Sequence, residues 1–178
     1  SFFDEIRDQI GAPAADMPAT APDVAPTAPS SANPTLGEFV AQVAPAAIEA
    51  GKRLGVDPSI LIGQWGLETG WGKSVIPGTN NLGNIKDFSG SGIAATDNMT
   101  GSRDRYRQYA SIDDFGSDYA GLIERRYGSA IGAGQDAARY AEALKAGGYA
   151  EDPAYVEKIA RAAEMVRGFG GVITRLTP

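Results

Sequence analysis

One glutamate in this sequence stands where a carboxyl group could act as an acid. Glu68 lies at the end of an apolar segment that is predicted to be a helix. Asp57 is suited to be its N-cap and Pro58 its first residue. Gly70 can adopt the left-handed conformation that ends a helix. The helix dipole and the apolar neighbours both disfavour a carboxylate at this position. Glu68 should therefore stay protonated near neutral pH, as a general acid must. The alternative is an ordinary glutamate at a frayed helix end.

The residues that the chain lacks narrow the chemistry. It contains no Cys and no His, which excludes Cys-His and Ser-His-Asp catalysis and disulfides. The same absence disfavours a zinc hydrolase, because such sites use His or Cys ligands. Carboxylates, Tyr and Lys remain for acid–base work, and we expect no metal and no cofactor.

The charge distribution argues against nucleic acid as a partner. The net charge is −6, with five acids and one base in residues 1–34 but 17 acids and 15 bases in residues 35–178. We expect no transmembrane segment, because no apolar run is long enough to cross a bilayer. No signal peptide is visible in this chain, so we expect that it was removed or that export takes another route.

The first residues differ from the rest of the chain. Residues 12–34 contain six Pro and eight Ala and should form an extended linker before a folded domain at 35–170. Residues 171–178 form an uninformative tail. Residues 1–11 have the pattern of a short amphipathic helix that docks on a partner protein, or alternatively packs on its own domain; its apolar residues are Phe2, Phe3, Ile6 and Ile10.

The domain should be mainly α-helical with a small β lobe, and it is therefore of the mainly α (α+β) class. Helix starts are predicted by capping residues at Thr35, Asp57, Ser111, Asp136 and Asp152. We expect Pro45 to break or kink the first helix. Residues 103–109 alternate charged and aromatic side chains, which predicts a short strand after the irregular stretch 70–102.

Four motifs, within about residues 36–167, carry a family resemblance. They are Leu-Glu-Thr-Gly-Trp-Gly-Lys-Ser at 67–74, Asn-Asn-Leu-Gly-Asn-Ile-Lys at 80–86, Tyr-Arg-Gln-Tyr at 106–109 and Gly-Tyr-Ala-Glu-Asp-Pro-Ala-Tyr at 148–155. In order and spacing they resemble the bacterial N-acetylglucosaminidases of glycoside hydrolase family 73, which include flagellum-associated peptidoglycan hydrolases and autolysins. The resemblance implies a lysozyme-like fold.

The resemblance also implies a pair of carboxyl groups. Glu68 resembles the family's general acid. The second carboxylate lies in the β lobe of the family, where the similar position is Asp97, with Asp104 as the fallback. The second group would act as nucleophile or general base, or it would orient the acetamido group of the substrate, which then serves as the nucleophile.

Four further residues receive roles from the resemblance. Tyr149 resembles the family's active-site tyrosine, placed to hydrogen-bond at the reacting sugar. Trp71, Asn81 and Tyr155 are expected to line the cleft as substrate-binding residues. The alternatives are that the aromatic residues belong to the core and that Asn81 only stabilises its own loop.

The resemblance implies an endo-β-N-acetylglucosaminidase that cleaves the β-1,4 bond between N-acetylglucosamine and N-acetylmuramic acid in peptidoglycan glycan strands. We expect it in the periplasm, outside the cell or on a virion, tethered to a phage tail, a flagellar structure or a secretion apparatus. The alternatives are a lytic transglycosylase or muramidase of lysozyme-like fold, and a non-catalytic wall-binding structural component.

Overall fold

The computed structural model describes residues 35–96 and 103–171. Within them the five α-helices are α1 (Leu36–Leu54), α2 (Pro58–Thr69), α3 (Ile112–Arg126), α4 (Ala137–Ala146) and α5 (Tyr155–Arg167). A 3₁₀ turn covers Gly128–Ala130, and two strands, β1 (Ile93–Thr96) and β2 (Arg103–Tyr106), pair antiparallel. The mainly helical fold with a small β lobe is confirmed. None of these helices is long and apolar enough to cross a membrane.

Several predictions fall on other parts of the chain. The docking segment 1–11, the linker 12–34, Asp97 and the tail beyond residue 171 lie outside the described residues. All five predicted capping residues lie inside them, and four of the caps are confirmed. They are Thr35 Oγ1 with the Glu38 N–H (3.2 Å), Asp57 Oδ1 with Ser59 (2.8 Å), Ser111 Oγ with Asp114 (3.0 Å) and Asp136 Oδ1 with Arg139 (3.0 Å).

Of the two outcomes expected at Pro45, a break or a kink, the break is wrong, because α1 runs through this residue as one helix. Proline cannot donate to the carbonyl one turn earlier, which belongs to Ala41. Both Ala41 and Pro45 are exposed, so water can solvate that carbonyl. The buried face of α1, which lies on the other side, keeps its packing.

The last helix starts slightly later than its capping signal. Asp152 accepts a hydrogen bond from the Ala154 N–H at its carboxylate (2.8 Å) and one from Tyr155 at its carbonyl (3.0 Å). These bonds form a turn that leads into α5 at Tyr155. The aspartate therefore shapes the approach to the helix and not its first turn.

Helix α2 forms the centre of the domain. Residues 59–67 and Thr69 are buried, so the helix is enclosed on every side. Its closest neighbour is α5, which reaches the backbone of α2 at Gly63. A Cβ atom at Gly63 would lie 2.9 Å from the Ala163 nitrogen and 3.0 Å from the Ala162 carbonyl carbon. The contact between these two helices therefore requires glycine.

A buried polar cluster joins α2 to three other helices. Gln64 accepts a hydrogen bond from the Tyr119 hydroxyl and donates one to the Tyr155 hydroxyl (3.0 Å). Tyr119 and Tyr140 are hydrogen-bonded to each other. Because all four side chains are 5% exposed or less, these bonds satisfy polar groups that burial would otherwise destabilise.

The β lobe is a short hairpin with one additional bridge. Ile93 is opposite Tyr106, and Thr96 is opposite Arg103. Lys86 forms an antiparallel bridge to Tyr106 from the other edge of β2. The segment around Lys86 and strand β1 therefore flank β2, and the loop 87–92 connects them.

Polar contacts tie the exit of this hairpin to the helices. Asp118 of α3 accepts hydrogen bonds from the Arg107 guanidinium (2.8 Å) and the Tyr109 hydroxyl (2.5 Å). The Tyr109 N–H donates to the Thr79 carbonyl (2.8 Å). These contacts hold the β lobe against the helical part of the domain.

We expect Gly63→Ala to lower the free energy of unfolding by about 1–3 kcal/mol, because the added methyl group overlaps rigid backbone of α5. Alanine is the better helix former by about 1 kcal/mol, so helix propensity alone predicts the opposite sign. Urea denaturation of both proteins measures the difference. Gly128→Ala is the control, since a Cβ atom there meets nothing within 4 Å. A Gly63→Ala protein as stable as wild type would contradict the close contact.

Candidate active site

Glu68 lies in the last turn of α2, where the helix leaves the core. Its side chain is partly exposed, whereas both of its neighbours in the chain are buried. Burial raises the pKa of Glu68 from 4.5 to about 7, and a hydrogen bond from Asn84 acts in the opposite direction. A large fraction of Glu68 is therefore protonated near neutral pH, in the direction that the sequence predicts.

The end of α2 is fixed by backbone geometry and by one hydroxyl group. Gly70 has a φ of 57°, and its N–H donates to the Gly66 carbonyl. The Thr69 hydroxyl donates to the Trp65 carbonyl (2.7 Å) and accepts from the Gly72 N–H (3.1 Å). These bonds connect the last turn of the helix to the loop that follows, so the backbone at Glu68 is held from both sides.

Trp71 packs against the C-terminal end of α2. Its ring is 4% exposed and packs edge-on against Phe39, with ring centroids 5.9 Å apart. A Cβ atom at Gly66 would lie 2.3 Å from the indole, so the ring sits directly on the backbone of α2. This burial favours a supporting role for Trp71 over the expected contact with a ligand.

Asn81 organises the loop that faces Glu68. It is 1% exposed, and its carbonyl oxygen accepts hydrogen bonds from the N–H groups of Gly83 (3.3 Å) and Ile85 (3.0 Å). Its amide nitrogen donates to the carbonyls of Ile85 (2.9 Å) and Arg107 (3.1 Å). The side chain is thus fully engaged with its own loop and the β lobe.

Asn84 is the polar partner of Glu68, and it was not singled out from the sequence. Its amide nitrogen lies 2.8 Å from the Glu68 carbonyl oxygen and 3.5 Å from Glu68 Oε2. Its φ of 51° is a left-handed conformation that asparagine tolerates better than most residues. The available signal was its place in the asparagine-rich motif 80–86.

Tyr149 reaches the same loop from the other side. Its hydroxyl donates to the Gly83 carbonyl (2.9 Å), and its ring packs against Tyr127 with centroids 5.5 Å apart. Burial raises the pKa of Tyr149 well above its ordinary value, and the nearby charge of Glu68 adds to the effect. The pKa of Tyr155, whose ring is only 5% exposed, is raised by the same two causes. The structure therefore brings both tyrosines close to Glu68.

The second carboxyl group stays a prediction. Asp104 lies on β2 and forms an ion pair with Lys86 (3.1 Å). Asp97 follows Thr96, the last residue of β1, and lies outside the described residues. Among the residues that the structure does describe, no three side chains of the types that bind metals form a cluster.

A helical domain with a small β lobe and a partly protonated glutamate beside it defines a glycosidase domain of lysozyme-like class. A family model described as "Glucosaminidase: Mannosyl-glycoprotein endo-beta-N-acetylglucosaminidase" matches residues 44–167. The chain belongs to this glucosaminidase family, which confirms the resemblance found in its motifs.

Curated relatives and solved structures agree with this assignment. The peptidoglycan hydrolase FlgJ of Pseudomonas aeruginosa is 33% identical over 79% of this chain, and that of Vibrio cholerae is 36% identical over 69%. The chain spans only 39% and 41% of their lengths.

Two solved structures align with most of the chain. A peptidoglycan hydrolase from Sphingomonas sp. A1 has a TM-score of 0.69 and 35% identity, covering 77% of this chain and 94% of that one. The glycoside hydrolase domain of Salmonella typhimurium FlgJ has a TM-score of 0.64 and 27% identity, covering 79% of this chain and 94% of that one. Both alignments include nearly all of the solved chain, so the similarity extends over a whole domain.

We expect Glu68→Gln to remove a pH dependence from the free energy of unfolding. The folded pKa of about 7 lies above the ordinary 4.5. Folding therefore favours the neutral acid, and this contribution is full below pH 4.5 and is lost as the pH rises through about 7. One pKa unit corresponds to about 1.4 kcal/mol, and partial exposure screens the charge, so the loss should be about 1–3 kcal/mol.

Urea denaturation of wild type and Glu68→Gln at pH 4 and pH 8 measures this loss. The wild type should lose stability relative to the variant between the two pH values. A difference that stays constant from pH 4 to pH 8 would contradict the raised pKa of Glu68.

We expect Asn84→Gly to raise the pKa of Glu68 further, because the variant keeps the left-handed backbone but removes the donor to the carboxylate. A carbon-detected NMR titration of the glutamate carboxyl groups measures the pKa directly. Asn80→Gly is the matched control: its φ is 49°, and its amide donates to the Tyr109 carbonyl. Equal effects of the two substitutions would show that Asn84 acts only through the loop.

Proposed function

We propose that this domain is a peptidoglycan hydrolase that cleaves the β-1,4 bond between N-acetylglucosamine and N-acetylmuramic acid, with Glu68 as the general acid. The observation that carries the proposal is the raised pKa of Glu68 at the end of a buried helix. The family assignment supports glucosaminidase chemistry. The relatives named as peptidoglycan hydrolases support the substrate.

In the proposed reaction, protonated Glu68 donates its proton to the glycosidic oxygen while the bond from that oxygen to the sugar carbon breaks. The departing sugar leaves with the proton, and the remaining ring becomes an oxocarbenium-like cation. Glu68 is then a carboxylate, and the Asn84 amide at 3.5 Å from Oε2 is positioned to stabilise the new charge. A hydrogen bond that favours the product state of the acid assists the proton transfer.

The cation needs a negatively charged or nucleophilic partner on the opposite face of the sugar. We assign this role to Asp97, or to the acetamido group of the substrate with Asp97 orienting it. Water then adds its oxygen to the sugar carbon, releasing whichever group had bonded there, and its proton returns to the Glu68 carboxylate. Asp104 is the fallback, and its ion pair with Lys86 makes it the weaker candidate, because a paired carboxylate is less available to a cation.

The aromatic and amide side chains receive different roles. Tyr149 is proposed to contact the reacting sugar, because the residue is partly exposed and its hydroxyl group donates to the Gly83 carbonyl, in the loop that also carries Asn84. The burial of Trp71, Asn81 and Tyr155 favours a role for these residues in holding the acid and its loop in place.

Peptidoglycan as the substrate implies action in the periplasm, outside the cell or on a virion. We further propose that residues 1–11 dock on a protein partner and that residues 12–34 tether the domain to a flagellar structure, a phage tail or a secretion apparatus. The support is the apolar pattern of the first segment and the Pro- and Ala-rich composition of the second.

End-group analysis of digested peptidoglycan tests the proposed reaction. Fragments are reduced with borohydride and identified by mass spectrometry, and we expect new reduced N-acetylglucosamine ends. Glu68→Gln should lower the rate by about 10²–10⁴-fold, the range that a general acid contributes. Glu142→Gln is the control, since Glu142 is an exposed glutamate of α4 and should retain the wild-type rate.

Other end groups would overturn the assignment in defined ways. Anhydromuramic ends would identify a lytic transglycosylase, and reduced muramic ends would identify a muramidase. A protein that binds peptidoglycan but produces no new ends would be a wall-binding structural component. An unchanged rate in Glu68→Gln would remove Glu68 from the role of the acid.

A further inference from the structure

One phenylalanine of the β lobe is left almost fully in water. Phe88 is 88% exposed; the other large apolar side chain exposed within the described ranges is Ile131, at 40%. Exposure of an aromatic ring to water is unfavourable. A ligand that covers the ring removes its apolar surface from water, and this favours binding. Phe88 lies in the loop 87–92, directly before β1.

The loop that carries Phe88 is held in one shape. Asp87 Oδ1 accepts hydrogen bonds from the Ser89 N–H (3.1 Å) and hydroxyl (2.7 Å). Asp87 Oδ2 accepts from the Gly92 N–H (2.5 Å) and the Ser91 hydroxyl (3.5 Å). The bonds from Ser89 lower the pKa of Asp87 to about 2, so the carboxylate keeps its charge and the loop keeps its closure at ordinary pH. The backbone that carries Phe88 therefore has little conformational freedom left to lose on binding.

Phe88 is also close to the acid along the chain. It follows Asn84 by four residues, and the Asn84 amide touches the Glu68 carbonyl at 2.8 Å. Four residues span at most about 14 Å, which a few linked sugar rings can cover. A glycan strand that passes Glu68 and continues over the β lobe comes within reach of this ring.

We propose that Phe88 is a stacking platform for a sugar ring of the glycan strand, at a subsite on the β-lobe side of the bond that Glu68 protonates. The proposal rests on the proposed function. A pyranose ring has an apolar face of C–H groups, which matches the face of an aromatic ring, while its hydroxyl groups at the edge stay in water.

The surroundings of Phe88 favour a glycan over other partners. Its neighbours in the loop are Asp87, Ser89, Gly90 and Ser91, which are small or charged. A protein interface of standard size buries about 800 Å² on each partner and needs an apolar centre larger than one ring. A single sugar face needs only one ring, which this loop provides.

Binding to purified insoluble peptidoglycan tests the platform without turnover when every variant carries Glu68→Gln. Adding Phe88→Ala should weaken binding about tenfold, the change that corresponds to roughly 1.4 kcal/mol. Phe88→Trp should restore it, because the larger aromatic face can stack in the same way. Ile131→Ala is the matched control, since it removes the other exposed apolar side chain and should leave binding unchanged.

The possible outcomes separate this inference from the proposed function. Equal binding of the Phe88→Ala and parent proteins overturns the platform, and equal losses in Phe88→Ala and Ile131→Ala do so too, because they indicate unspecific adhesion. If Phe88→Ala keeps peptidoglycan binding but loses binding to vesicles of phosphatidylethanolamine and phosphatidylglycerol, the ligand is a membrane and the inference is wrong. If wild type neither cleaves nor binds peptidoglycan, the proposed function fails together with the platform.

Discussion

The enclosure of α2 on every side is the constraint on which the rest of the structure depends. The helix is buried from residue 59 to residue 67, and α5 approaches it so closely that Gly63 leaves no room for a side chain. The first position at which a polar group of this helix can reach solvent is therefore near its C-terminal end. Glu68 occupies that position, and the same packing that buries the helix raises its pKa to about 7. The stability of the domain and the raised pKa of Glu68 have one physical cause.

The surroundings of the acid come from segments far apart in the sequence. Asn81 fixes the loop through four backbone contacts, and this arrangement directs Asn84 onto Glu68. Tyr149 reaches the carbonyl of Gly83 in the same loop. Buried polar side chains need their hydrogen bonds, so a substitution at any of them leaves a donor or acceptor unpaired. The loop 80–86 thus connects the helical part to the β lobe, in addition to the contacts of Asp118 with Arg107 and Tyr109.

The proposed roles divide the side chains near the acid into two groups. Glu68, Asn84 and Tyr149 are proposed to face the place of bond cleavage, and Phe88 is proposed to hold the strand further along the β lobe. Trp71 lies beneath the helix end, where its indole packs on the backbone at Gly66. The presence of an aromatic residue in a motif therefore does not by itself identify a sugar contact, because a buried ring has no face available to a ligand.

The sequence alone predicted four helix starts, the end of α2 and the second strand of the hairpin, and it singled out Glu68 as the candidate acid. Caps and glycine C-termini depend on residues within one turn of each other, so their signals are local and can be read in order along the chain. Only the tertiary structure decided that α1 passes through Pro45, that Asn84 contacts Glu68 and that Trp71, Asn81 and Tyr155 are buried. These features depend on which surface faces water and on contacts between distant residues, and a residue's type and spacing do not specify either.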